Sequence, residues 1–307
     1  MFCSKIDPVV NDAFNKGWLS GPPEELQTLM EILSIACDYS DIAREVIYKA
    51  FYLKVKIFIR DELYSLGTYT HVANILNFRK SIFNNIKSEI GQILLATILI
   101  HEARHACQYS QSERKKDWVR LYNNWANIIM HTCLSEADAK AFEIASMYQL
   151  AENFGINNDN TIDILANKTK LIYIYFINEY KKHHDMRKTL EFVSRISNWK
   201  YGDYYKSLSI KEYKCYPDDN AVIIHPNEWV RLLNLMYKNT PYMDIPKLTK
   251  ECLCLRTEDY EQIKRNLEKE QKKDNSLEYF SVKVPKKCDN NAKKEYEIIP
   301  AQKCFIF

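Results

Sequence analysis

The chain has 307 residues, 46% of them hydrophobic and 27% charged, which is the composition of a folded globular protein rather than a disordered one. Its formal net charge of +3 gives no electrostatic reason to expect a nucleic acid or an anionic membrane surface as a partner. Only 6 Gly and 9 Pro argue against a sandwich or barrel of many short strands and favour long helices.

The first 50 residues are predicted to form an N-terminal helical segment. Pro22 and Pro23, followed by two glutamates, are typical of a helix start, and apolar residues then recur at helical spacing as far as Cys37. A second helix is predicted from about residue 40 to residue 50.

A small β-sheet is predicted next, because the hydrophobic period changes at residue 53. Val55, Ile57 and Ile59 alternate with lysines, which indicates a strand. Residues 67–71 and 75–78, separated by a short turn, are typical of a hairpin. We therefore expect a sheet of about three strands.

Helices are predicted for most of the remaining chain. The first, from about 86 to 111, is apolar nearly all round and should be buried. Others are expected at about 116–130, 135–153 with Ser135 as N-cap, 161–182, 187–197, 226–238 and 257–273. The fold class is thus α+β, mainly α, in four parts: an N-terminal helical segment (1–50), a core (51–155), a helical C-terminal subdomain (156–273) and a polar tail (274–307).

The most informative motif lies inside the buried helix and reads His101-Glu102-Ala103-Arg104-His105, an HExxH sequence. Two histidines four residues apart project from one helix face, so both imidazoles can bind one zinc ion. Glu102 lies beside them, where a carboxylate can take the proton of a water molecule that the metal activates. Ionisable groups in a buried helix are costly unless they are paired or bind a metal.

A third metal ligand must come from another element, and the sequence offers two acids on the helix predicted at 135–153. Glu136 lies at the predicted start of that helix and has the longer side chain. Asp138 lies closer to the centre of the apolar face when residues are counted at 100° each. Alanines at 137, 139 and 141 would allow two helix backbones to approach closely around a metal.

This order of features resembles the gluzincin branch of the zincin metallopeptidases: a strand, a Gly-x-Tyr hairpin, an apolar helix with HExxH and a later Ser-Glu-x-x-Ala. The sequence His-Glu-Ala-Arg-His-Ala-Cys-Gln at 101–108 is similar to the signature of small bacterial metallopeptidase domains. The resemblance covers about residues 50–150 and implies a zincin-like core. It also implies one Zn²⁺ per chain, held by His101, His105 and Glu136, with Glu102 as general base.

Arg104 departs from the general zincin pattern, which has uncharged residues between the glutamate and the second histidine. A charge on a packed helix needs a partner, and we expect Asp138 to be that partner. On the hairpin, Tyr69 and His71 are candidates to donate a hydrogen bond to the oxyanion of a tetrahedral intermediate. The alternative for both is an ordinary place in a strand.

The function predicted from these features is hydrolysis of peptide bonds by a zinc-dependent peptidase, with a peptide or protein as substrate. The alternative is a catalytically silent zincin scaffold that acts as a protein-binding module or secreted effector. No nucleic-acid partner and no stable membrane insertion are expected. The longest apolar stretch, 93–100, is far shorter than the roughly 20 residues of a membrane-spanning helix, and no signal-peptide h-region is visible. We therefore expect a cytoplasmic location or delivery by a non-Sec route.

Overall fold

The computed structural model describes the backbone of residues 5–63, 65–70, 73–84, 86, 88–110, 125–212, 279–285 and 296–302, and of their side chains those up to 108, 132–202 and 204. The structure is mainly helical with a small mixed sheet, which confirms the α+β class. The chain divides into two compact units, one of Met1–Gln111 with Ala137–Ser197 and one of Ser112–Glu136 with Asn198–Phe307.

The first unit begins with three helices: α1 (Pro8–Asn15), α2 (Pro23–Tyr39) and α3 (Asp41–Tyr52). The Asp7 carboxylate caps α1 by accepting hydrogen bonds from the backbone of residues 9 and 10. Ser40 caps α3 by accepting from Ala43 N at 3.0 Å. The two helices predicted here are confirmed, and α1 is an addition to them.

The first unit also contains a four-stranded sheet in the order β1-β2-β4-β3. Its strands are β1 (Leu19–Ser20), β2 (Lys56–Arg60), β3 (Gly67–Thr70) and β4 (Ile75–Arg79). β2 runs parallel to β1 and β4, whereas β3 and β4 pair antiparallel and confirm the predicted hairpin. The sequence prediction missed β1 because two residues are too few to show an alternating pattern.

Helix α4 (Glu89–Ser110) confirms the predicted buried helix, with side chains such as Ile93 and Ile100 fully enclosed. Helix α5 runs without interruption over Trp125–Asn153, so the prediction of a helix start at Ser135 is wrong. The Ser135 hydroxyl donates to Thr132 O at 3.1 Å, a bond to the preceding helical turn. The flanking Cys133 and Leu134 are buried, which favours continuation of the helix through this point.

The remaining helices of the first unit differ from the predicted boundaries. Residues 161–182 form two helices, α6 (Asp159–Lys168) and α7 (Ile172–His183), because Lys170 and Leu171 both have positive φ and interrupt the helix. Helix α8 covers Met186–Glu212, much more than the predicted 187–197. Its residues up to Ser197 belong to the first unit.

The second unit contains the beginning of α5, the end of α8 and two further strands, β5 (Tyr279–Pro285) and β6 (Tyr296–Gln302), which pair antiparallel. The polar tail predicted at 274–307 thus includes a β-ribbon that the sequence analysis did not foresee. The helices predicted at 226–238 and 257–273, and most of the one at 116–130, lie outside the described residues. Within the described part of the chain, no helix combines the length and apolar character needed to cross a membrane.

Candidate metal centre

Helix α4 presents His101 and His105 side by side, one helical turn apart. Their ring centroids are 4.9 Å apart and the ring planes are nearly perpendicular, at 82°. The two Nε2 atoms face each other at 3.2 Å. His105 is buried and His101 is partly exposed, so the pair lies where α4 meets the surface.

Glu136 of α5 completes a group of three possible metal ligands. One ligand atom from each of His101, His105 and Glu136 lies within 4.8 Å of the other two. Two nitrogens bound to one tetrahedral ion at 2.0–2.1 Å are about 3.3 Å apart, close to the observed 3.2 Å. The three residues therefore fit a single metal ion, and two imidazoles with one carboxylate form a set that catalytic zinc sites use.

Glu143 on α5 orients the ring of His101 through its Nδ1 atom. Its Nδ1 lies 2.8 Å from Glu143 Oε2, and Lys140 Nζ contacts the same oxygen at 2.6 Å. Burial raises the pKa of the Glu143 carboxyl, but the Lys140 ammonium and the hydrogen bond from His101 outweigh burial and bring the pKa down to about 2. An ionised carboxylate only accepts hydrogen bonds, so Nδ1 of His101 donates and its Nε2 is left to face His105.

The ring of His105 is held by a different set of residues. Its Nδ1 lies 2.9 Å from Gln108 Oε1, and Gln108 Nε2 donates to Asp138 Oδ2 at 2.5 Å. Arg104 donates to the same carboxylate from Nε at 2.8 Å and from Nη2 at 3.2 Å. The Arg104 guanidinium also lies over the ring of Phe142, 4.0 Å from the ring centroid.

The two acids considered for the third ligand thus have different environments. Glu136 belongs to the convergent group, whereas the fully buried carboxylate of Asp138 accepts hydrogen bonds from Arg104 and Gln108. The expectation that Asp138 is the partner of Arg104 is confirmed. Asp138 does lie on the inward face of α5, as the residue count indicated, but it contacts the Arg104 guanidinium there.

Glu102 is partly exposed and does not belong to the group of three. A Cβ atom placed on Gly67 of β3 would come within 2.9 Å of Glu102 Cγ and within 2.8 Å of Phe78 Cε1. Only glycine permits this approach, so the backbone at the start of β3 lies directly against the Glu102 side chain. The hairpin therefore borders the motif on the side of Glu102.

Tyr69, the oxyanion candidate on β3, donates its hydroxyl to Asn74 Oδ1 at 2.9 Å across the hairpin. Burial, with a smaller effect of Cys107, raises the pKa of the Tyr69 phenol to about 12, so it stays protonated at neutral pH. Asn74 has positive φ and donates in turn to Leu53 O, which ties the turn to the end of α3. His71, the second candidate, lies outside the described residues.

Three polar residues of this centre were given no role in the sequence analysis: Gln108, which appeared only as the last residue of the 101–108 signature, Lys140 and Glu143. Gln108 follows His105 by three residues, and Lys140 and Glu143 follow Glu136 by four and seven, so each shares a helix face with a metal ligand. The same spacing describes any polar stripe on a helix. Only the packing of α4 against α5 distinguishes these side chains from a solvated face.

If the group binds a metal ion, replacement of Glu136 by glutamine is expected to weaken the binding about 100-fold or more, with zinc as the probe, because a neutral amide oxygen would replace an anionic ligand. A chelator-competition titration measures the dissociation constant. Glu152→Gln, the same substitution at an exposed position of α5, is the control and should leave zinc affinity unchanged. An unchanged zinc affinity in Glu136→Gln would remove Glu136 from the ligand set.

Comparison with known proteins identified no relative of this chain. No protein-family model matches the chain, and neither a curated protein nor a solved structure resembles it at a significant level. The convergence of His101, His105 and Glu136 is therefore the observation from which a function can be inferred.

Proposed function

We propose that this chain is a zinc-dependent peptidase that hydrolyses peptide bonds with Glu102 as general base. The observation that carries the proposal is that the two histidines of an HExxH helix converge with Glu136, while the glutamate of the motif lies next to them without joining the group. Among the described residues this group supplies three protein ligands, which would leave a coordination position open, as is typical of catalytic rather than structural zinc sites.

In this proposal His101, His105 and Glu136 hold the metal, and Glu143 and Gln108 orient the two imidazole rings. A zinc ion in this position would polarise a peptide carbonyl and acidify a water molecule. The protein must then supply a group that moves the proton.

Glu102 is suited to that task. Its carboxylate accepts the proton of the attacking water and passes it to the nitrogen of the departing amine, so one side chain serves both halves of the reaction. The side chain is partly exposed, so water and substrate can reach it. Contact with the backbone at Gly67 restricts the rotamers of this side chain.

The test is Glu102→Gln, in which a nearly isosteric amide can still hydrogen-bond water but cannot accept a proton. We expect one zinc per chain and unchanged melting behaviour, with kcat/KM reduced by about 10²–10⁴, or roughly 3–5 kcal/mol of transition-state stabilisation. Cleavage of a peptide library, followed by mass spectrometry, gives the rate. Glu89→Gln at the beginning of α4 is the matched control and should retain wild-type activity.

The other outcomes separate this proposal from its alternatives. Identical cleavage by wild type and Glu102→Gln would assign the activity to a contaminant or to another site. Zinc binding without cleavage by either protein would favour the catalytically silent scaffold that binds a protein partner. Unfolding of Glu102→Gln would identify Glu102 as a structural residue and exclude it as the base.

A further inference from the structure

Gln108 lies between a metal-ligand candidate and a buried ion pair, and its surroundings determine which way its amide points. The Asp138 carboxylate is fully buried and accepts two hydrogen bonds from Arg104, one on each oxygen. The Gln108 amide nitrogen donates to the same carboxylate, to Oδ2 at 2.5 Å.

This orientation fixes the proton on the His105 ring. With its nitrogen committed to Asp138, Gln108 presents its oxygen to His105 Nδ1 at 2.9 Å. An amide oxygen only accepts, so Nδ1 must carry a proton, and Nε2 is the nitrogen that is available to a metal ion. Nε2 is the atom that faces His101 at 3.2 Å.

On the other ring, His101 Nδ1 lies 2.8 Å from Glu143 Oε2, which likewise leaves Nε2 to face the neighbouring histidine. We propose that Gln108 is a positioning residue for His105, and that the Arg104–Asp138 pair acts through it to present Nε2 to a metal ion. This inference rests on the metal-binding part of the proposed function and not on peptide hydrolysis.

The alternative is that Gln108 only ties α4 to α5, in which case its loss would lower stability without a specific effect on the metal. The two roles are separated by Gln108→Met, which keeps the length of the side chain and removes the acceptor. Gln149→Met is the matched control, because Gln149 of α5 also accepts side-chain and backbone hydrogen bonds, from Ser40 Oγ and Ile42 N, at a distance from the metal group. Zinc dissociation constants come from chelator competition on the full-length chain.

We expect Gln108→Met to weaken zinc binding about 10- to 100-fold, while Gln149→Met binds zinc like the wild type. Long-range ¹⁵N NMR of the chelator-treated protein should show His105 protonated on Nδ1 in the wild type and not in Gln108→Met. Gln108→Glu should restore both results, because a glutamic acid that shares a proton with Asp138 still offers an oxygen to His105. If Gln108→Met does not fold, the zinc affinity and the His105 tautomer of Gln108→Glu test the inference instead.

The inference is overturned if Gln108→Met binds zinc within about twofold of wild type, if Gln149→Met loses as much affinity, or if wild-type His105 carries its proton on Nε2. It is also overturned if Gln108→Glu binds zinc as weakly as Gln108→Met. None of these readouts uses cleavage. If these results are obtained but the protein cleaves no peptide, the peptidase proposal is contradicted and the role of Gln108 is retained.

Discussion

Zinc binding is expected to disappear when His101 and His105 are both replaced by alanine. The substitutions remove two of the three ligand candidates found among the described residues, and the Glu136 carboxylate by itself is too weak to retain the ion through purification. The effect also extends to stability. A ligand that binds only the folded protein stabilises it by about 4 kcal/mol when its concentration is about 1,000 times Kd, so zinc should raise the Tm of wild type and leave that of the variant unchanged.

The measurement is the zinc content of the purified chain together with thermal unfolding in zinc and in chelator. His183→Ala with His184→Ala is the matched control, because it removes two histidines at the end of α7, where His183 contacts Glu179. That variant should keep one zinc and the full shift in Tm. Zinc retained by the His101/His105 variant would contradict the ligand assignment, and a wild type that takes up no metal after reconstitution would end the peptidase proposal.

Asp138→Ala is expected to lower the free energy of unfolding by about 3–5 kcal/mol. It deprives the buried Arg104 guanidinium, only 5% exposed, of the carboxylate that it contacts at 2.8 Å. A charge left in a low-dielectric environment without its counter-ion costs far more than the loss of an exposed pair. The total free energy of unfolding of a typical domain is about 5–15 kcal/mol, so this single substitution would remove a large share of it.

Urea unfolding of the zinc-free chain measures this cost without a contribution from the metal. Asp12→Ala breaks the exposed pair of Asp12 with Lys16, and it should cost at most about 1 kcal/mol. Arg104→Met combined with Asp138→Leu should recover most of the loss, because both charges leave together. Equal costs for Asp138→Ala and Asp12→Ala, or no recovery in the double variant, would contradict the role given to this ion pair.

The elements that the sequence predicted correctly are those with a long, regular hydrophobic pattern. The alternating residues of β2, the hairpin β3–β4 and the apolar helix α4 belong to this class. Local signals were less reliable. Ser135 has the chemistry of an N-cap, yet the helix continues through it because its neighbours are buried. The helix break at Lys170 and Leu171 has neither glycine nor asparagine at these positions, so the sequence contains no signal for it.

In the candidate metal centre, the spacing of the HExxH motif was sufficient to bring His101 and His105 together, and charge was sufficient to pair Arg104 with Asp138. The preference for Glu136 came from the resemblance, because the residue count placed Asp138 closer to the centre of the inward face. The residues that contact the candidate ligands or one another around them, Gln108, Lys140 and Glu143, were not predictable in the same way. Their roles depend on which α5 side chains meet α4, and a helical sequence gives the face of a residue but not its neighbour across the interface. The zincin-like core remains a prediction from the motif.

The ion pairs around the ligands also determine how much charge a bound ion would meet. Lys140 contacts Glu143 and Arg104 contacts Asp138, so these two acids are each balanced by a cation. These acids are thus committed to cations of the protein itself. A metal ion that bound to His101, His105 and Glu136 would not have to neutralise Glu143 or Asp138 as well.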